Sequence, residues 1–395
     1  MRFSPLVDRI AGEGSQAWDI HFQAWERQRR GDDVIVLSVG DPDLFSPAPA
    51  IDQAIASLRG GRTRYTPPSG EPQLRAAIAK WHQRTTGVKV DPDEVVVTAG
   101  AQNALFISTL CLLAPGDEVI VHTPMYVTYE AFLRASGATV VEIPSLPEKD
   151  FHLDVETLAA AVTDRTRAIY LTTPHNPTGA VMTREELEAV AEISRRHDLW
   201  VVSDEVYAAL TFEREHISPC SLPGMTERTV VISSLSKSHA MTGWRAGWMI
   251  APSGLAKHAY HLLLCSLYGL PGFIQEAARV ALETAEIDLE EVRDLYRRRR
   301  DLVCDALKEG DGLLARRPEA GMFVLIDVRG TGLSAHAFAQ GLLDQHALSL
   351  LPADAFGTAA AGHLRLSLTA PEAVLAEACR RILQHAENVK KQAAA

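Results

Sequence analysis

RTVVISSLSKSHAMTGWRAGWMIA, residues 228–251, contains two uninterrupted apolar runs joined by a small, polar loop. RTVVISS (228–234) and AGWMIA (246–251) do not alternate polar with apolar residues, which is the pattern of strands buried on both faces. Lys237 lies three residues past the end of the first run, and Arg245 immediately precedes the second. A cation just past the carboxyl end of a buried strand projects into the crevice where open α/β sheets bind ligands.

Working outward, the same kind of run recurs at EVVVTAG (94–100), DEVIVHT (117–123), ATVVEI (138–143), RAIYLTT (167–173) and LWVVSD (199–204). Helical patterns lie between several of them. TREELEAVAEISRRH (183–197) is one, with Thr183 and Glu186 spaced as a capping box. Strand–helix alternation predicts an α/β layer fold, a mainly parallel central sheet with helices on both faces. Segment 1–45 stands apart, with a helix-like start and one apolar run, VIVLSVG (34–40). Beyond about residue 280 the pattern changes again. A charged helix pattern, EEVRDLYRRRRDLVCDALKE (290–309), leads to MFVLIDV (322–328) and HLRLSLT (363–369). The expected division is an N-terminal arm over 1–45 that joins a small domain, a large domain over 46–280, and a smaller C-terminal α/β domain over 281–395.

Composition narrows the function. A 395-residue chain of ordinary globular composition has room for a large core. Its formal net charge of −11 disfavours phosphate backbones, so nucleic acid is not expected as a partner. The basic run Arg297–Arg300 follows Glu290, Glu291 and Asp294, so it reads as a solvated or ion-paired helix stretch. The five cysteines are scattered, with no CxxC pair and no HExxH, so no sequence-local metal site is indicated. Free thiols suit a reducing compartment. No apolar stretch approaches membrane-spanning length, and the first residues lack a signal-peptide h-region. The expectation is a soluble cytoplasmic protein.

Four strand ends carry residues suited to one ligand. Lys237 needs a desolvated or cationic setting to be an amine nucleophile, and Arg245 adds a fixed charge that suits a phosphate. Asp204 ends LWVVSD, where a buried carboxylate needs a partner. A protonated pyridine nitrogen would supply one, with an attraction of about 4 kcal/mol at ~4 Å and an effective dielectric of ~20. Tyr207, three residues on, is near enough to reach the same ring. In TPHNPTGAVM (173–182), prolines on both sides hold Asn176 where it could donate to a phenolate oxygen, and either X-Pro bond is a candidate for cis. TAGAQNAL (98–105) is a small-residue turn into a helix, whose backbone N–H groups can cradle a phosphate. Each has a plainer reading when taken alone: surface cations, a helix cap, an ordinary Pro-Gly turn, a packing turn. Together they supply aldehyde, ring-nitrogen, phenolate and phosphate partners for a single phosphorylated pyridine aldehyde.

These blocks resemble the fold-type I, pyridoxal 5'-phosphate-dependent aminotransferases of class I/II, the aspartate-aminotransferase-like group. The resemblance runs from LSVGDPDL (37–44) through YTPPSGEPQLRAAIA (65–79), PHNPTG, SDEVY and the lysine block to HLRLSL (363–368). It implies Lys237 as the imine-forming lysine and proton-transfer base, with Asp204 on the pyridine nitrogen and Tyr207 and Asn176 on the phenolate. It implies Gly100, Ala101, Gln102, Ser234 and Arg245 around the phosphate, and Tyr126 stacked on the ring. Tyr65 would reach the phosphate of a neighbouring subunit in a homodimer. Arg365 would clamp the substrate α-carboxylate, with Gly40 close by and Asn176 shared between cofactor and substrate.

AGEGSQAWDIHF (11–22), PMYVTYE (124–130), SPCSLPGM (218–225) and SKSHAMTGW (236–244) resemble arginine:pyruvate transaminases in particular. That implies a basic amino donor and pyruvate as acceptor. Asp19, Glu13 and Tyr129 are candidates for a guanidinium pocket. The loop SLYGLPGF (266–273) is expected near the site, and it has no arginine that would select a dicarboxylic substrate. The same scaffold also hosts β-lyases, and a non-catalytic ligand sensor is the reading from another class. No DNA-binding segment accompanies it.

Overall fold

The computed structural model describes residues 1–11, 18–284, 289–310 and 312–393. All seven apolar runs of the central segment become strands of one sheet: β1 Val95–Ala99, β2 Glu118–Thr123, β3 Thr139–Pro144, β4 Thr166–Thr172, β5 Trp200–Asp204, β6 Thr229–Ser234 and β7 Ala246–Ile250. Their spatial order is β1-β7-β6-β5-β4-β2-β3. The β6–β5, β5–β4, β4–β2 and β2–β3 pairs are parallel. Strand β7 runs antiparallel to both neighbours. Its direction follows from the short loop carrying Lys237 and Arg245, which is too short for a crossover between parallel neighbours.

Apolar side chains from the sheet enter separate cores on its two faces, one built with Ala104, Leu105 and Phe132, another with Leu187, Val190 and Ile193. The helix Arg184–Arg196 begins with the expected capping box of Thr183 and Glu186.

A second sheet holds β8 Leu314–Arg316, β9 Phe323–Asp327, β10 Leu351–Pro352 and β11 His363–Ser367 in the order β10-β11-β9-β8, all antiparallel. Of VIVLSVG only Ile35–Val36 is strand, paired in parallel with Leu348–Ser349. Ile20, Ala24, Val34 and Leu37 share one core with Val303, Phe338 and Ile382, so the start of the chain is packed onto its end. The basic run lies on the helix Leu289–Ala306 and is ion-paired, and half of it is not solvated. Arg299 is buried against Asp43 through bonds of 2.7 and 2.8 Å, and Arg300 is buried against Glu213 at 2.8 and 2.6 Å. Among the described residues, no helix is long and apolar enough to cross a membrane.

Candidate active site

Strands β4, β5 and β6 end side by side, with Thr172 paired to Asp204 and Asp204 to Ile232. Their carboxyl ends open into a cavity of about 470 Å³. Ala101, Gln102, Tyr126, Asn176, Asp204, Tyr207, Ser234, Lys237, Arg245, Gly40 and Arg365 all line it. Gly100 sits one residue from the wall, as N-cap of the helix Ala101–Leu112. Two elements of the expected set lie elsewhere. Tyr65 is exposed, and its ring lies 4.8 Å from that of Tyr268. The loop 266–273 does not line the cavity of its own chain.

Lys237 is half-buried, and its Nζ donates to the Gly40 carbonyl at 2.6 Å. Burial pulls its amine down to about 8, with Arg365 and Arg245 acting in the same direction and Asp41 and Asp204 against it. Asp204 accepts from the Tyr129 hydroxyl at 2.6 Å and from the Val206 N–H at 3.3 Å. Burial pushes its carboxyl up to about 6. Residues 206–209 form a turn, so the plainer reading of Asp204 as a helix cap does not hold.

Both X-Pro bonds flanking Asn176 are cis. Asn176 Oδ1 accepts from Arg365 Nη1 at 3.1 Å, which leaves its amide N–H groups as the donors it can offer. Arg365 is buried and also donates to the Ser38 carbonyl at 2.9 Å. Its guanidinium lies between Phe323 at 4.1 Å and Phe356 at 5.0 Å, and its Nε has no partner among the described residues. Desolvation lowers it from the usual guanidinium range to about 10.

Three cations therefore face this cavity against two carboxylates, Asp41 and Asp204. That balance suits anionic ligands. The helix at Ala101 has a glycine N-cap with φ +79° and no side-chain cap bond, so its first N–H groups remain available. A Cβ on Gly100 would stand 2.4 Å from Arg245 Nη2, so glycine there lets the guanidinium approach the helix end. Available N–H groups beside a cation fit a phosphate. Asp204, with no ion pair among the described residues, fits a protonated pyridine nitrogen. The residues present thus match the group inferred from the strand ends.

Trp18, Asp41, Phe323 and Thr172 also line the cavity and were not singled out in the sequence. Phe323 had a signal: in the β9–β11 register it lies diagonally across from Arg365 on the same face. The guanidinium-pocket candidates fare differently. Tyr129 is buried and committed to Asp204, Asp19 is exposed and outside the cavity wall, and Glu13 lies outside the described residues.

Fold and site define a pyridoxal 5'-phosphate-dependent aminotransferase of fold type I. Residues 32–382 match the family described as aminotransferase class I and II, and the chain belongs to that family. It is 53% identical over 393 residues to the arginine–pyruvate transaminase of Pseudomonas aeruginosa, covering all of both chains. The aspartate/prephenate aminotransferase of Thermus thermophilus is 38% identical over 92% of this chain and 93% of its own. Among solved structures, the Thermus thermophilus aspartate aminotransferase with maleate superposes with a TM-score of 0.92 at 36% identity, covering 98% of this chain and 100% of that one.

Proposed function

We propose that this aminotransferase moves the amino group of L-arginine, or a similar basic amino acid, to pyruvate. The observation that carries the reading is the convergence of Lys237, Asp204, Arg245 and Arg365 on one cavity. Full-length similarity to an arginine–pyruvate transaminase supports the choice of donor and acceptor. Asp41 and Trp18 add a carboxylate and an aromatic face to the cavity, surfaces that a guanidinium takes up readily.

When bound, the cofactor supplies an aldehyde for the donor's amine and an electron-poor ring that accepts the electron pair of the broken Cα–H bond. Asp204 would keep the ring nitrogen protonated, and Tyr207 and Asn176 would donate to the phenolate oxygen. Gly100, Ala101, Gln102, Ser234 and Arg245 would hold the phosphate, with Tyr126 against the ring. Arg365 and Gly40 would orient the substrate carboxylate. Lys237 Nζ would take the Cα proton and later give it to the aldehyde-derived carbon of the cofactor. An amine held near 8 is partly unprotonated at neutral pH, as a base needs.

Tyr65 is proposed to complete the phosphate site of a second subunit in a homodimer, which its exposed ring permits. A division into arm, large and small domains at residues 45 and 280 is supported by one core that joins Ile20 and Leu37 to Phe338 and Ile382, apart from a core built on the central sheet. The free cysteines suit a cytoplasmic location, and the acidic charge argues against nucleic acid as a partner.

The test is a half-reaction. Mixing the cofactor-loaded protein with L-arginine and no acceptor should bleach the visible absorbance and release one 2-oxo acid per site. Pyruvate should restore the band. Ammonia release in place of amino-group retention would refute transamination. A donor panel with pyruvate decides the substrate.

A further inference from the structure

Thr172, Tyr129 and Asp204 form one line of hydrogen bonds. Thr172 Oγ1 donates to the Tyr129 hydroxyl at 2.9 Å, and Tyr129 donates to Asp204 Oδ2 at 2.6 Å. Thr172 and Asp204 are direct partners at the ends of β4 and β5. Tyr129 comes from elsewhere, at the start of the helix Tyr129–Ala135. Its ring is fixed edge-on to Tyr126 at 6.2 Å and tilted against Phe132 at 5.0 Å. The geometry sets the direction of the line. Tyr129 has one proton, which goes to the carboxylate, so the threonine hydroxyl must donate to the phenol. A donor that itself accepts a hydrogen bond is the stronger donor.

We propose that Tyr129, oriented by Thr172, is a positioning residue that fixes the Asp204 carboxylate and holds it ionised toward the cavity. The inference rests on the reading that Asp204 faces the ring nitrogen. Among the described residues Oδ1 meets only the Val206 N–H, at 3.3 Å, so the short bond from Tyr129 is the chief restraint on the group. Tyr126, Tyr207, Lys237 and Glu205 also face Asp204. Of these, Lys237 favours the carboxylate, and Glu205 opposes it. Burial raises this carboxyl and the Tyr129 bond lowers it, so the bond acts to keep the group ionised, the form that a protonated ring nitrogen needs. The plainer alternative is that Tyr129 is a core tyrosine whose hydroxyl merely found an acceptor.

Tyr129→Phe keeps the ring and removes the donor. In the cofactor-loaded variant, the acid-side midpoint of both the visible absorbance and kcat/KM should move up by about one pH unit. Thr172→Val should move it the same way by less, and Thr172→Ser should restore it. Asp204→Asn should abolish the transition. An unmoved midpoint in Tyr129→Phe, with the transition lost in Asp204→Asn, overturns the proposal and leaves the assignment of Asp204 standing. A transition that survives Asp204→Asn overturns both. Thr172→Val carries the test if Tyr129→Phe does not fold.

Discussion

The guanidinium of Arg365 lies 4.1 Å from the centre of the Phe323 ring, and that ring fills the space a side chain at residue 40 would need. A Cβ on Gly40 would stand 2.3 Å from Phe323 Cζ. Gly40→Ala should therefore displace the aromatic platform under the arginine, and also the carbonyl that holds Lys237. Overpacking of this kind costs about 1–3 kcal/mol of stability. The sharper effect should be on substrates: KM for donor and acceptor should both rise, about tenfold, since each presents the same carboxylate. Steady-state kinetics on both substrates check this; a change for one alone would place Gly40 away from the carboxylate.

Arg365 has hydrogen bonds to Asn176 and Ser38 but no carboxylate partner among the described residues. A buried cation with an unpartnered Nε is prepared for an anion from outside. Lysine would keep the charge and lose the planar fork. Arg365→Lys should lower kcat/KM for both substrates by about 100-fold, equal to about 3 kcal/mol of charge-assisted bonding. Near-normal kinetics would mean that the carboxylate binds elsewhere.

Lys237 carries an amine that burial holds near 8, against an ordinary value of 10.5. A lowered value means that the neutral amine appears at lower pH than on a surface lysine. In the cofactor-free protein, labelling of Lys237 by an aldehyde with borohydride should rise with a midpoint near 8 while surface lysines lag. Peptide mass mapping across a pH series reads this directly. A midpoint near 10.5 would contradict the desolvated setting.

Much of this was legible in the chain because both signals are local. Seven Val/Ile runs marked the sheet, and Asp204, Lys237 and Asn176 stood out because each follows such a run. The parts that were not legible depend on distant contacts. Gly40 and Lys237 are 197 residues apart, and Tyr129 and Asp204 are 75 apart. Nothing near Tyr129 in sequence says that its hydroxyl ends on a carboxylate, so a guanidinium contact was an equally fair reading. Arg299 and Arg300 could be read only as solvated or ion-paired, because their actual partners, Asp43 and Glu213, lie far away in the chain. The strands at 314–316 and 348–352 are too short to show a period.

His122 and His175 face each other at 4.4 Å behind the strand ends. Burial holds His122 at about 4 and His175 well below its usual value. His122 Nε2 accepts the Thr172 N–H at 3.3 Å, so protonation would also break that bond. The ordinary value is 6.5, so between 6.5 and about 4 the unfolded chain binds protons that the fold refuses. Stability is therefore full above 6.5 and falls as pH drops through that window. His122→Gln, which keeps an acceptor and does not titrate, should flatten the fall by about 2–3 kcal/mol. Urea midpoints measured across the window check it; parallel curves would remove His122 from the account.

Gly100 offers a last test, aimed at the phosphate cradle and not at the chemistry. Its φ of +79° is a conformation that L side chains rarely adopt, and its missing Cβ is what lets Arg245 come close. Alanine there has to move the backbone, the guanidinium or both, and either change disturbs the helix N-terminus that is proposed to hold the phosphate. Lys237 and Asp204, the groups proposed to act on the substrate and the ring, lie at other strand ends and should keep their geometry. Gly100→Ala should therefore weaken cofactor binding by about 10- to 100-fold, the worth of one or two hydrogen bonds to a charged group. At saturating cofactor, kcat should stay within about threefold of the parent, less than 1 kcal/mol. Fluorescence titration of the cofactor-free protein separates the two quantities. A loss of kcat with unchanged affinity would place the phosphate elsewhere in the cavity.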